Sequence, residues 1–159
     1  MTNGRLFGVT LCAIVALAPA VLWQHGRQSG ISWSEPIARV DAELARGDVS
    51  GAMTQWYSAY VAALYYRQRW DVPIAVGDAR LRIERAAGSG DAGAAKAREL
   101  YLIALFRARQ AGSAQGVLRA AAAFEALVDR DVAAHALTIA AALQADGPRV
   151  AGNHSVPDL

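Results

Sequence analysis

The chain has 159 residues, of which 54% are apolar and 19% charged. That is more apolar and less charged than an average soluble domain, so disorder of the whole chain is excluded. Cys12 is the single cysteine, which excludes a disulfide-stapled scaffold, and a formal charge of +2 gives no electrostatic case for nucleic acid.

Residues 1–5 form a short polar flank ending in Arg5. Leu6 to Trp23 then run without a charge. At 1.5 Å per residue this is roughly 27 Å of helix, close to the ~30 Å hydrocarbon core of a bilayer. The segment 6–23 reads as a single transmembrane anchor or as a signal segment. Ala16-Leu17-Ala18 and Ala18-Pro19-Ala20 fit an A-x-A cleavage site, but Pro19 follows or interrupts each. The apolar run also passes both sites and ends at Trp23, an aromatic suited to the membrane interface. Leu11 before Cys12 argues against a lipoprotein signal. Arg5 precedes the run while His25 and Arg27 follow it, so the positive-inside count discriminates weakly. An apolar segment ahead of a whole domain predicts export. The expectation is a single-pass protein of the bacterial inner membrane with its soluble domain in the periplasm.

Residues 24–33 read as a linker and 34–146 as a helical domain. Ser34-Glu35-Pro36 supplies a cap, a first-turn acid and a first-turn proline. Ile37, Val40 and Leu44 follow at helical spacing, and Gly47 sits where a left-handed stop is expected. Asp48 caps a second helix, predicted to run to about Gln68. Its stripe is Val49, Ala52, Met53, Trp56, Ala59, Tyr60, Ala63 and Leu64. Asp71-Val72-Pro73 starts a third, with Val76, Ala79, Ile83 and Ala87 on one face and Gly88-Ser89-Gly90 at its end. Asp91 starts a fourth, to about Gln110, and Gly112 stops it. Ser113 starts a fifth with Val117, Ala121, Phe124 and Val128 on one face. Asp131 starts a sixth with Val132, Ala136, Ile139, Ala140 and Leu143. Residues 147–159 show no periodicity and read as a disordered tail. No segment alternates with period two, so the fold class is all-α.

Ala42-Glu43-Leu44-Ala45-Arg46-Gly47-Asp48, followed by Gly51-Ala52 and Tyr60, resembles the turn and second helix of a tetratricopeptide (TPR) repeat. Gly90-Asp91-Ala92-Gly93-Ala94-Ala95, with Tyr101 and Ala104, is a weaker echo. Small residues let two helices approach while an aromatic fills the groove. The similarity covers Ile37 to Ala145, about three antiparallel hairpins. The opening Trp and Leu-Gly of a strong repeat are missing. The resemblance implies a solenoid that binds a protein segment, and it carries no catalytic residues. One anchor with a small helical domain also resembles MxaK-type accessory proteins of the periplasmic methanol-oxidation system. The residues behind that similarity are Gly47-Asp48, Trp70-Asp71, Gly77-Asp78-Ala79, Ala123-Phe124-Glu125, Leu127 and Asp129-Arg130. It implies help in maturing or assembling a dehydrogenase, possessing no chemistry of its own.

Motifs that look chemical have structural explanations. Gly88-Ser89-Gly90-Asp91-Ala92-Gly93 spells G-x-G-x-x-G, but a helical stripe rather than a strand precedes it. His25, His135 and His154 form no metal-ligand pair. Cys12 lies in the apolar run, where a thiolate is poorly solvated. Asp129 and Asp131 flank Arg130 and read as helix caps paired with arginine. Arg80, Arg82 and Arg85 are interleaved with Asp78 and Glu84, as on a solvated face. No catalytic, cofactor-binding or metal residue is therefore assigned, and no enzyme activity is expected.

Aromatics are densest between Trp56 and Trp70. Trp56 and Tyr60 belong to the core stripe. Tyr57, Tyr65, Tyr66 and Trp70 cannot all share that face. With Arg67 and Arg69 they form the expected partner-binding surface, since aromatics and arginine dominate binding hot spots. The function expected is a membrane-anchored protein-binding scaffold or assembly factor for a periplasmic system. The alternatives are a structural subunit of a membrane complex and a small enzyme of unrecognised type.

Overall fold

A computed structural model describes residues 32–88 and 92–146, which fall within the compact unit Ile31–Leu159. The expectations for 1–31, including the span Leu6 to Trp23, and for the tail 147–159 lie outside the described residues, as do those for 89–91. Among the described residues there are six helices and no strand: α1 (Ser34–Ala45), α2 (Val49–Tyr65), α3 (Asp71–Ala87), α4 (Ala92–Gln110), α5 (Ala114–Ala126) and α6 (Arg130–Ala145). None of these helices is long and apolar enough to cross a membrane.

The helices form three successive hairpins, α1 on α2, α3 on α4 and α5 on α6. Each hairpin rests on the next through α2 against α3 and α4 against α5, and the odd-numbered helices touch in turn. One turn recurs at three of the connections. After α1, the Asp48 N–H donates to Glu43 O and the Gly47 N–H to Leu44 O, both at 3.0 Å. After α4, Ser113 N–H donates to Ala108 O at 2.9 Å and Gly112 N–H to Arg109 O at 3.0 Å. After α5, Asp129 N–H donates to Phe124 O at 3.0 Å and Val128 N–H to Glu125 O at 2.9 Å. The residue before the last is left-handed each time: Gly47 at φ 75°, Gly112 at 63° and Val128 at 61°. This double bond satisfies carbonyls that a helix end leaves orphaned. Asp48 and Ser113 then cap the next helix, accepting from Gly51 N at 2.7 Å and Gly116 N at 3.0 Å.

Several expected boundaries shift. Ser34 and Asp71 are first helical residues rather than caps; Trp33 and Trp70 hold the cap positions without a side-chain hydrogen bond. Asp71 is drawn instead to Arg69, with Arg69 Nε donating to its Oδ1 at 2.9 Å. Asp129, not Asp131, is the cap residue of α6, and its carboxylate pairs with Arg98 Nε at 2.6 Å rather than with Arg130. α2 stops at Tyr65, short of Gln68, because the chain turns to place α3. Val128 leaves the α5 stripe and is 70% exposed, because the turn takes it for its left-handed position.

Alanine stripes let the helices come close, and a few large side chains fill the joints. Val40, Ala52, Trp56, Ala59, Val76, Ile83 and Leu100 form one cluster over α1 to α4. Tyr101, Ala104, Val117, Ala120, Phe124, Ala133 and Ala136 form a second over α4 to α6, joined by Ile74 of α3. Trp56 Nε1 donates to Val76 O at 2.8 Å, tying α2 to α3. Tyr101 lies on the backbone of α3, where a Cβ on Gly77 would sit 2.5 Å from its ring. Its ring meets Phe124 edge-on at 6.0 Å, and its hydroxyl donates to Asp78 Oδ1 at 2.7 Å. Burial and that hydrogen bond push the hydroxyl far above the ordinary tyrosine range. The arginines of α3 are engaged in three different ways: Arg80 pairs with Glu84 at 3.0 Å, both side chains only 13% exposed rather than on a solvated face, Arg82 reaches Asp41 of α1 at 2.8 Å, and Arg85 donates to Leu81 O at 3.3 Å.

Candidate functional site

The starts of α3 and α5 lie side by side, and the chain entering α1 crosses near them. Together they line a groove of about 580 Å³, within the ~300–1,000 Å³ range of ligand pockets. Trp33 and Trp70 supply its indoles, Ile74 and Leu118 its aliphatic lining, and Asp71 and Arg119 its charges. Trp70 reaches across to α5 because Gly116 has no side chain. A Cβ there would fall 2.8 Å from the indole and from Ala108.

The charges of the groove are unequal. Arg69 binds Asp71 through Nε and Nη2, and its guanidinium lies 5.8 Å from the Trp33 ring centre. The arginine holds the Asp71 carboxyl below the usual aspartate range, and the carboxylate raises the Arg69 pKa. Arg119 has a looser partner: its Nη2 is 3.6 Å from Asp78 Oδ2, and its side chain is 60% exposed. Asp78 already accepts the Tyr101 hydroxyl through its other oxygen. Arg119 therefore retains donor capacity for a further acid.

The connection that presents Trp70 is held from a distance. Arg107 of α4 donates from Nη1 to the carbonyls of Ala63, Tyr66 and Arg69, at 3.2, 3.0 and 3.1 Å. Burial, with the Arg67 charge adding, holds its pKa below the usual arginine value. On the outer side of this connection Arg67, Gln68, Arg107 and Gln110 line a smaller polar cavity of about 250 Å³.

The structure divides the six residues of the expected surface into three places. Trp70 and Arg69 stand at the groove. Arg67 opens onto the small polar cavity, and Tyr66 is half-buried against the first core cluster. Tyr57 and Tyr65 project from α2, 62% and 70% exposed. Tyr57 packs on Tyr60, their ring centres 6.2 Å apart, and Lys96 covers Tyr60 at 5.5 Å. Sequence reasoning missed Trp33, Ile74, Leu118 and Arg119 at the groove and Arg107 behind it. Trp33 fell in the presumed linker. Leu118 and Arg119 sit beside the Val117 stripe, at positions that read as plain surface. Gly116 was the available signal: a glycine inside a helix pattern marks a close approach.

Among the described residues no three His, Cys, Asp or Glu side chains gather to hold a metal ion. No strand precedes Gly88, which ends α3 in a left-handed conformation at φ 61°, and Gly93 is buried in the first turn of α4. Gly88 serves the helix stop, and Gly93 leaves room for Glu84 of α3, whose side-chain Cβ would lie 2.8 Å from a Cβ at that position. No protein-family model, curated protein or solved structure matches this chain.

Proposed function

We propose that this chain is a non-enzymatic scaffold or assembly factor, whose helical hairpins dock a segment of another protein in the groove between Trp33 and Trp70. The groove carries the reading. It joins two partly buried indoles, an aliphatic lining and an incompletely paired arginine. Tryptophan and arginine are among the residue types enriched in protein-binding hot spots. The serial hairpins support it too, since a TPR-like stack uses the row of alternate helices as a docking face. In this reading Leu6 to Trp23 anchor the chain in the inner membrane and the hairpins work in the periplasm. The partner is then a periplasmic or membrane-bound protein. An accessory role in assembling a periplasmic dehydrogenase, such as that of methanol oxidation, fits the MxaK-like residues, of which Trp70 and Asp71 line the groove.

Site-specific photocrosslinking tests this. A photoreactive residue at Leu118 in the full chain, in its native cell, should trap a defined partner. Trp33→Ala with Trp70→Ala should abolish that adduct while the helical signal persists. Adducts unchanged by the double substitution would remove the groove as a docking site.

A further inference from the structure

The described part of the chain ends at Asp146, just past α6. α6 returns antiparallel to α5, so its last turn lies beside the first turn of α5. Gln115 and Leu118 of α5 line the groove at that end. Adjacent helix axes are ~8–10 Å apart, and an extended chain covers ~3.3 Å per residue. Residues 147–159 are therefore long enough to cross from α6 to the groove with slack to spare. That segment contains Val156-Pro157-Asp158-Leu159, apolar side chains around one side-chain carboxylate. The groove offers the complement: Trp33, Trp70 and Leu118 for the apolar side chains, and Arg119 for the acid. Asp71 opposes an incoming carboxylate only weakly, because Arg69 neutralises it.

We propose that the segment 153–159 of this chain docks in its own groove, with Pro157 and Leu159 against the two indoles and Asp158 on Arg119, and so competes with an outside partner. The inference rests on the groove being a docking surface, as above. Tethering favours it, because a linked segment meets its site at an effective concentration near millimolar. A partner must then displace the segment, which sets a threshold for binding.

The test uses the full chain carrying Cys12→Ser and Ser155→Cys, labelled at 155 with bimane, which tryptophan quenches on contact. The label should be quenched, and Trp33→Phe with Trp70→Phe should release it. Arg119→Gln or Asp158→Asn should each lower the docked-to-free ratio about two- to fivefold, as for an exposed ion pair. The exchanged pair Arg119→Asp with Asp158→Arg should restore quenching. Emission unchanged by replacing both indoles overturns the proposal. So does quenching insensitive to both charges, or quenching lost on dilution, which assigns the contact to a second copy. A bright label with a partner still trapped at Leu118 refutes this inference alone. A quenched label with no partner trapped refutes the scaffold reading alone.

Discussion

The two connections between hairpins solve one problem in opposite ways. Between α4 and α5 the chain turns through Ala111, Gly112 and Ser113, and each needed partner is near in sequence. Gly112 takes the left-handed conformation, two N–H groups close back on Ala108 and Arg109, and Ser113 caps α5. Between α2 and α3 the chain runs from Tyr66 to Trp70 with no left-handed residue. Two of its carbonyls, at Tyr66 and Arg69, and that of Ala63 in the last turn of α2 are satisfied by Arg107, about forty residues on. The local turn is independent of the rest of the fold. The remote one exists only once α4 is packed, and it is the one that carries Trp70 to the groove.

Removing the remote donor should therefore have the largest effect. Arg107→Ala leaves carbonyls in a half-buried site without their donor. A charge-assisted hydrogen bond contributes about 1.5–3 kcal/mol, so a loss of ~2–3 kcal/mol is expected in urea unfolding. Arg107→Lys should recover part of it, since all three bonds leave from Nη1 and an ammonium has three donors, carried on a shorter side chain. Hydrogen exchange should quicken first at residues 66–70 and leave 111–113 protected. Uniform acceleration across both connections would contradict the assignment.

Gly112→Ala tests the local turn. A Cβ there meets nothing within 4 Å, so the cost is conformational alone, ~1–2 kcal/mol for a left-handed alanine. Exchange should quicken at 111–113 and not at 66–70. This difference also marks what the sequence made legible. Gly47-Asp48 and Gly112-Ser113 announce their turns because each signal acts on the next few residues. The all-α class followed from the same local signals and from the stripes. The role of Arg107 could not be read, because its acceptors are backbone carbonyls and any residue type supplies one. Trp33 and Arg119 were hidden for a related reason. They become groove residues only through the side-by-side placement of odd helices, which no local spacing encodes.

Val128 sharpens the comparison in the opposite direction. The α5–α6 turn has the hydrogen bonds of the other local turns but a β-branched residue at φ 61°. Its sequence signal was misleading, since a valine at helical spacing from Phe124 reads as core. The side chain is exposed, so little packing is lost on removing it. Val128→Gly should stabilise the fold by ~1 kcal/mol, the conformational gain offset in part by a freer unfolded chain. Thermal unfolding would check the sign, and a lower midpoint would show that the side chain contributes contacts beyond its exposed position.

The smallest effect distinguishes the connections by acid. Ala111, Gly112 and Ser113 offer nothing to titrate, whereas Asp71 at the end of the remote connection is paired with Arg69. The Arg69 hydrogen bond holds the Asp71 carboxyl below its ordinary value of about 3.9. A carboxyl depressed in the folded state adds stability that is present above the unfolded pKa. That stability is lost as pH falls through the folded one. Both side chains are part-exposed, so the contribution is ~0.2–1 kcal/mol at neutral pH. The stability gap between the parent and Asp71→Asn should close as pH drops below about 4. The gap between the parent and Gly112→Ala should stay constant over the same range. A gap at Asp71 that ignored pH would show that the carboxylate is held by geometry rather than by its charge. Arg107 would then be the only charge on which the remote connection depends.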